Sequence, residues 1–517
     1  MYKGLSFLAG FGVLLLGALL CVVTLALSRH GFSGYDVSPM IDAGWRVYSG
    51  QVPGRDFLVT FPASLYLAVA LSYKMFGVTW RAIALGECSL YLVILGLGLC
   101  TSRLIRAAWG GRMAVATTAV FAAGQTILLL SINYPWHASM AESFGAYAVM
   151  ATLPLLSTRT LRGRQEVEAF AHLTLAFSLL LLSKPNTAFP AIAICVAALA
   201  LQRVRPVRLL LLLGCVLLVD SAALHLVHVT LPGMLGAYLG LTGRLLPKAF
   251  FNGILYTLYA RYGLANLLVY AILAPAATLF CTLLWRVRGT LRGRPVLVLA
   301  AGAVLVSVLG MGTNFDYKLT DTPMGLLGLC FLAFSEEETG YAALRFRVGC
   351  ASVALLLLAG YFGRTRLRMQ TVGLWADDKC PSQLVFNDSF FGRMTACASV
   401  PETMSAVDQA LAAHPHQRVF FGPAMEFLYA GRRAPSPLHL PNWWDPGSSF
   451  PLRKMQDVAQ AWEQDDFDLL IFAEAEDMGH LPPTVVQRIA SDFVRDPAWS
   501  AIHVYVRRVG TAPGLGN

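Results

Sequence analysis

Eleven apolar runs, most of them roughly 17–25 residues long, recur along this chain, and they constrain its fold more than any other feature. About 20 apolar residues in a helix cross the ~30 Å hydrocarbon core of a bilayer, and a helix satisfies its own backbone polar groups there. The runs fall near 4–27, 80–105, 112–131, 140–157, 169–183, 186–201, 208–229, 264–285, 295–312, 319–335 and 346–363. The expected fold is therefore a polytopic α-helical membrane protein of about eleven spans. Composition agrees: hydrophobic residues make up 56% and charged residues only 14% of the 517, where a soluble domain has about a quarter charged. The run from residue 4 to Leu27 is too long for the apolar part of a signal peptide and reads as an uncleaved first span.

Charge placement sets the orientation. The net charge of +10 comes largely from short loops at 103–112, 159–164, 202–208 and 286–294. Basic loops between spans mark the cytoplasmic side, so the charge reports topology and gives no reason to expect nucleic acid. The acidic run 336–338 falls on the same side, followed by Arg345 and Arg347. An odd number of spans then puts the loops 28–79 and 230–263, and everything after residue 363, outside. The chain divides into a membrane domain over 1–363 and an external domain over 364–517.

The polar stretch 33–77 is the most informative of the outer segments. Ser38-Pro39 predicts a helix start, with proline at the first helical position, and Gly50 predicts its end near Ser49. That places Asp36 just outside the N-terminus and puts Asp42 four residues before Arg46, a spacing for a structural ion pair. Pro53-Gly54 predicts a turn presenting Arg55 and Asp56. Residues 61–76 predict a second helix, amphipathic and aromatic, suited to a membrane interface.

These residues resemble the first external loop of the GT-C glycosyltransferases, the superfamily of the bacterial aminoarabinose transferases and protein O-mannosyltransferases. The matching features are Asp36 soon after the first span, the run W-R-V-Y-S-G-Q-V-P-G-R-D-F over 45–57, Pro62 with Tyr66, and Phe76-Gly77. Relatives often carry Asp-Glu where this chain has Asp36-Val37. The resemblance implies a lipid-phosphate-dependent transferase of hexosyl or pentosyl groups, inverting at the sugar, in the bacterial inner (plasma) membrane. Its donor is a polyprenyl-phosphate-linked sugar and its acceptor the hydroxyl or amine of a lipid, glycan or protein.

Such a transfer needs a base, cations for the departing phosphate, and exclusion of water. Asp36 is the candidate base, though an acid there also fits a helix cap, and Asp56 is the second candidate acid. The candidate phosphate cations are Lys184 in the Ser-Lys-Pro-Asn joint between two spans, Arg244, Lys248 and Arg261 in the loop 230–263, and Lys318. Lys318 stands five residues before Pro323, loosely like the family's K-x-x-x-x-P element. Lys184 also fits a snorkelling lysine. Arg55, Tyr66, His137 and Glu142 are further pocket candidates; the Tyr134 and Trp136 beside His137 equally fit an aromatic belt. The sequence indicates no cofactor and leaves a divalent metal ion open.

After about residue 361 the composition turns polar, and strands near 384–387, 418–422, 467–472 and 501–508 alternate with helices at 401–413, 424–430, 451–465 and 483–495. That alternation predicts a small α/β domain. The phrase Gly422-Pro423 with Glu426 and Tyr429, then Gly431-Arg432-Arg433, resembles the C-terminal domains of bacterial GT-C relatives. Cys380 and Cys397, 17 apart in an oxidising compartment, predict a disulfide. Trp443-Trp444 in a Pro-rich loop predict packing or membrane anchoring rather than exposure. No C-x-x-C pair, G-x-G-x-x-G, Walker loop, G-x-S-x-G or H-E-x-x-H occurs. Two other classes compete with the transferase reading: a multi-span transporter or flippase, for which Asp220 and His225 within a span are the candidates, and a noncatalytic cell-envelope assembly protein.

Overall fold

The computed structural model describes chiefly residues 17–30, 34–59, 63–129, 136–157, 163–235, 295–313, 323–335, 382–446 and 449–508, apart from an isolated position. The predicted spans at 264–285 and 346–363, the proposed boundary at 363, and Arg244, Lys248, Arg261, Lys318 and Cys380 lie outside the described residues.

Apolar helices dominate the N-terminal part. After α1 (Gly17–Ala26) come α2 (Gly34–Tyr48), α3 (Ala63–Phe76), α4 (Trp80–Trp109), α5 (Gly111–Leu129) and α6 (Trp136–Thr152). Then follow α7 (Arg164–Ser183), α8 (Pro185–Leu201), α9 (Pro206–His225), α10 (Pro295–Thr313) and α11 (Pro323–Ser335). Three of the described helices, α4, α7 and α9, are long and apolar enough to cross a membrane. Large side chains such as Val93, Val167, Leu210 and Leu218 are exposed on them, as expected of surfaces that face lipid. Breaks between helices follow local chemistry. Thr79 caps α4 by accepting the Ala82 N–H at 3.1 Å, and Pro185 and Pro206 begin α8 and α9.

Among the described residues, the C-terminal part holds two sheets. β1 (Gln383–Asp388) and β2 (Gly392–Cys397) form an antiparallel hairpin. The second sheet has β3 (Val419–Phe421), β4 (Leu469–Phe472), β5 (Phe493–Asp496) and β6 (His503–Arg507) in the order β3-β4-β6-β5. Only the β3–β4 pair is parallel. Helices α12 (Ser399–Ala413), α13 (Phe427–Gly431), α14 (Met455–Gln464) and α15 (Pro483–Asp492) accompany them. Two details differ from the sequence expectation. β2 was not foreseen, and the helix expected to run to 495 stops at Asp492, where Phe493 turns inward as the first residue of β5.

The C-terminal sheets do not stand apart from the helices. Val37, Met40, Ile41 and Trp45 of α2 share one buried core with Phe390, Phe391, Val400, Phe427 and Leu469. Backbone bonds cross the same boundary: Thr395 N–H to Arg29 O at 2.7 Å and Trp80 N–H to Phe390 O at 2.9 Å.

Candidate functional site

Helix α2 begins at Gly34, five residues before the Pro39 start that Ser38-Pro39 predicts, so Asp36 lies in its first turn and Pro39 inside it. Tertiary packing accounts for the difference. Val37 and Ser38 are buried, and the Ser38 hydroxyl, instead of capping, bonds across to the C-terminal part. It donates to Glu426 Oε2 at 2.6 Å and accepts the Phe427 N–H at 2.8 Å. A carboxylate in a first turn is also favoured by the helix dipole.

Below Asp36, α2 carries a buried ion pair. Arg46 Nε donates to Asp42 Oδ2 at 2.7 Å, with 1% and 0% of the two side chains exposed. The pair is completed from the C-terminal part: Ser436 Oγ donates to Asp42 Oδ1 at 2.6 Å, and Arg46 Nη1 to Pro437 O at 2.5 Å. The guanidinium also lies 5.2 Å from the Phe57 ring centre. Burial pushes the Asp42 carboxyl above its usual range, while the Arg46 charge and then the Ser436 bond oppose that shift. Three more bonds tie α2 and the residues after it to the same side: Trp45 Nε1 to Ala434 O, Gln51 Nε2 to Ser436 O and Asn442 Nδ2 to Pro39 O, all at 2.8–2.9 Å. The i, i+4 pairing of Asp42 with Arg46 is as the sequence predicts.

Beyond α2, Gly50 and Gly54 take positive φ and shape the turns that present Arg55 and Asp56. Arg55 grips both Asp56 oxygens, at 2.7 and 2.8 Å, and Asp56 Oδ2 accepts the Val52 N–H. The Arg55 bond is the main reason the Asp56 carboxyl falls to about 2, well below its usual range. Arg55 itself is 68% exposed. The loop is fastened to the Pro-rich C-terminal segment by His439 N–H to Asp56 O and Asn442 N–H to Leu58 O.

A second contact reaches the joint that holds Lys184. Phe57 and Ala43 share a buried cluster with Tyr66 of α3, Leu182 of α7 and Leu224 of α9. Ser64 donates to Ser183 Oγ at 3.0 Å. Lys184, buried in extended backbone between α7 and α8, follows directly. Close approach of α3 to α2 depends on Gly44: a Cβ there would meet Val69 Cγ1 at 2.2 Å.

Tyr66 thus packs near the joint of α7 and α8 that Lys184 belongs to, while Arg55 and Asp56 pair with each other in the loop after α2. Glu142 falls in another cluster, where it accepts from Ser307 at 3.5 Å and Ser307 Oγ accepts the Gly325 N–H. His137 stands in the first turn of α6. Cys397 is buried in β2 and disulfide-bonded. Trp444 is buried, edge-on to Phe420 at 5.4 Å, and Trp443 is half-buried beside the main core. Neither ring projects freely into solvent. Sequence reasoning noticed Glu426 only as part of a motif; its buried contact with Ser38, 388 residues away, has no local signal. Among the described residues no group of three or more His, Cys, Asp or Glu converges as a metal site.

No protein-family model matches the chain, and no curated protein matches it. Among solved structures it is similar to the apo crystal structure of ArnT from Cupriavidus metallidurans. The two are 13% identical, with a TM-score of 0.47, over 96% of this chain and 98% of that one. A likeness this slight transfers neither activity nor site residues.

Proposed function

We propose that the chain is a membrane glycosyltransferase of the GT-C type, moving a sugar from a polyprenyl-phosphate donor to an acceptor hydroxyl or amine. The reaction would take place on the periplasmic or extracellular face of the bacterial inner membrane. One observation carries the reading: the residues that resemble the family's external loop fold as a unit around the joint of α7 and α8. Phe57 and Tyr66 pack on Leu182, and Ser64 bonds Ser183, next to buried Lys184.

In this reading Asp36 takes the proton of the acceptor group. The acceptor atom bonds to the anomeric carbon from the face opposite the phosphate, which inverts the configuration. The bond from that carbon to the phosphate oxygen breaks, and its electron pair leaves on the phosphate. Lys184 then compensates the phosphate charge, together with Arg244, Lys248, Arg261 and Lys318. Such charges are worth most where water is excluded, and Lys184 is buried. Asp56, ionised and held by Arg55, suits electrostatic shaping of the site better than proton transfer, since a carboxyl near 2 is a weak base. No cofactor is invoked.

The test is transfer of radiolabelled sugar from polyprenyl phosphate by the purified protein and by its Asp36→Asn variant. Asn keeps the shape but takes no proton. Loss of a general base costs about 10²–10⁴ in rate, against roughly 1 kcal/mol of stability for a lost cap. Near-normal transfer by the variant removes Asp36 from the mechanism, and no transfer by the parent protein refutes the reading altogether. One observation favours a transporter instead: Asp220 is fully buried within α9, and acids buried in spans commonly mark substrate or ion paths. Uptake into vesicles holding the purified protein decides that.

A further inference from the structure

Among the buried acids that the catalytic proposal leaves unexplained, one faces α2. Glu426 is 1% exposed and sits at the end of the turn Gly422-Pro423-Ala424. The turn is costly to build. Ala424 holds φ of 64°, a left-handed conformation unusual for alanine. Gly422 passes so close to β4 that a Cβ would meet the Phe472 ring at 2.3 Å. What the turn achieves is the placement of Glu426 against α2: its Oε2 accepts from Ser38 Oγ at 2.6 Å, while the next residue's N–H, that of Phe427, donates back to the same hydroxyl at 2.8 Å. Ser38 is two residues from Asp36 in the same helix. The backbone N–H groups of its own turn, at Ala424 and Glu426, also face the carboxyl, and among the described residues its one side-chain partner is Ser38, across in α2.

We propose that Glu426 is a positioning residue, reaching from the C-terminal part to fix, through Ser38, the first turns of the helix that carries Asp36. This rests on the transferase reading, in which the orientation of α2 sets the orientation of the base. The charged group set against it on α2 is Asp42, paired with Arg46; Tyr429, on the same short helix, points its hydroxyl to the Phe421 N–H at 3.1 Å. An ionised Glu426 would add a second carboxylate repelled by Asp42. Burial, the largest influence, holds the Glu426 carboxyl up at about 8, with the Ser38 bond opposing. The latch is therefore the neutral acid: ionisation strengthens the single Ser38 bond but buries a second charge near Asp42, and that larger cost loosens the turn in alkali.

Glu426→Ala and Glu426→Gln test this in the purified full chain. The alanine variant should lose about tenfold or more in kcat, since small misplacement of a catalytic group is costly, with the donor KM little changed. Glutamine, which keeps the shape and bonds Ser38 at any pH, should restore kcat to within about threefold. It should also remove the fall in rate expected of the parent above pH of about 8. Hydrogen exchange over residues 34–48 gives a readout independent of activity: about tenfold faster in the alanine variant and near-normal in the glutamine variant. Unchanged exchange in the alanine variant overturns the proposal whether or not the protein transfers sugar. So does a parent-like alkaline limb in the glutamine variant. Failure of the transferase reading appears separately, as transfer absent in the parent or retained by Asp36→Asn. If the alanine variant does not accumulate, hydrogen exchange over residues 34–48 in a Ser38→Ala variant, which removes the same bond, decides instead: unchanged exchange overturns the proposal.

Discussion

Replacing Arg46 by alanine should strand a charge, and the cost can be worked from the contacts. Arg46 neutralises Asp42 at 2.7 Å, fills the Pro437 carbonyl and covers the Phe57 ring. Both partners are buried, so solvent does not take over the lost interaction. Breaking a buried pair by removing one member costs about 3–5 kcal/mol, mostly the penalty of the carboxylate left behind. The sign with pH follows. Burial already raises the Asp42 carboxyl, and Arg46 is its main opponent, so the variant's Asp42 rises further. A group raised in the folded state gives stability that is full below the unfolded value near 4 and is lost as pH climbs toward the folded value. The variant should thus be nearest to the parent at about pH 4–5 and lose up to ~1.4 kcal/mol per pH unit through the window where only the unfolded chain ionises.

Denaturant unfolding of the detergent-solubilised protein at several pH values measures this. Asp42→Asn added to Arg46→Ala should recover much of the loss at neutral pH, because the stranded charge is gone. A loss under about 1 kcal/mol, a loss that does not vary with pH, or a double variant no better than the single one would refute the buried-charge argument.

Trp444→Ala should cost about 3–5 kcal/mol in the same unfolding assay, since the ring is buried against Phe420; a loss below 1 kcal/mol would mean the ring is not core. Cys397 should be found joined to Cys380 by mass spectrometry of unreduced peptides, closing a loop worth about 3 kcal/mol in the chain-entropy model; alkylation of Cys380 without reduction would refute the pairing. Asp56→Asn should leave the pH–rate profile above pH 5 unshifted, because a group at about 2 is already ionised throughout that range; a displaced limb would make Asp56 a proton carrier after all.

The local rules read much of this chain correctly. Apolar runs located the helices, glycines at 50 and 54 located turns, and the four-residue spacing located the Asp42–Arg46 pair. They failed where the deciding partner lies far along the chain. Ser38-Pro39 carries a good helix-start signal, yet the helix begins at Gly34, because the hydroxyl that would cap it has a better-buried partner in Glu426. β2 was missed for a similar reason: Gly392, Arg393 and Thr395 alternate weakly, and the strand is fixed by pairing with β1 and with Arg29 O.

The polar face of α2 poses a problem that its own sequence cannot solve. Trp45, Arg46 and, just after the helix, Gln51 bring donors that burial partly or wholly takes from water and that need acceptors. Helix and sheet carbonyls are already committed to their own ladders. The segment Ala434-Pro435-Ser436-Pro437 is different: its prolines lack the N–H a ladder needs, which keeps its carbonyls out of regular structure and open to other donors. Three of those carbonyls accept from α2 and the residues after it: Ala434 from Trp45, Ser436 from Gln51 and Pro437 from Arg46. Further along the same Pro-rich run, Leu440 and Asn442 bond the backbone of Leu58. The loop after the first apolar run and the Pro-rich run almost four hundred residues later are thus two halves of one hydrogen-bonded structure. The orientation of α2 is owed to the second half as much as to the first.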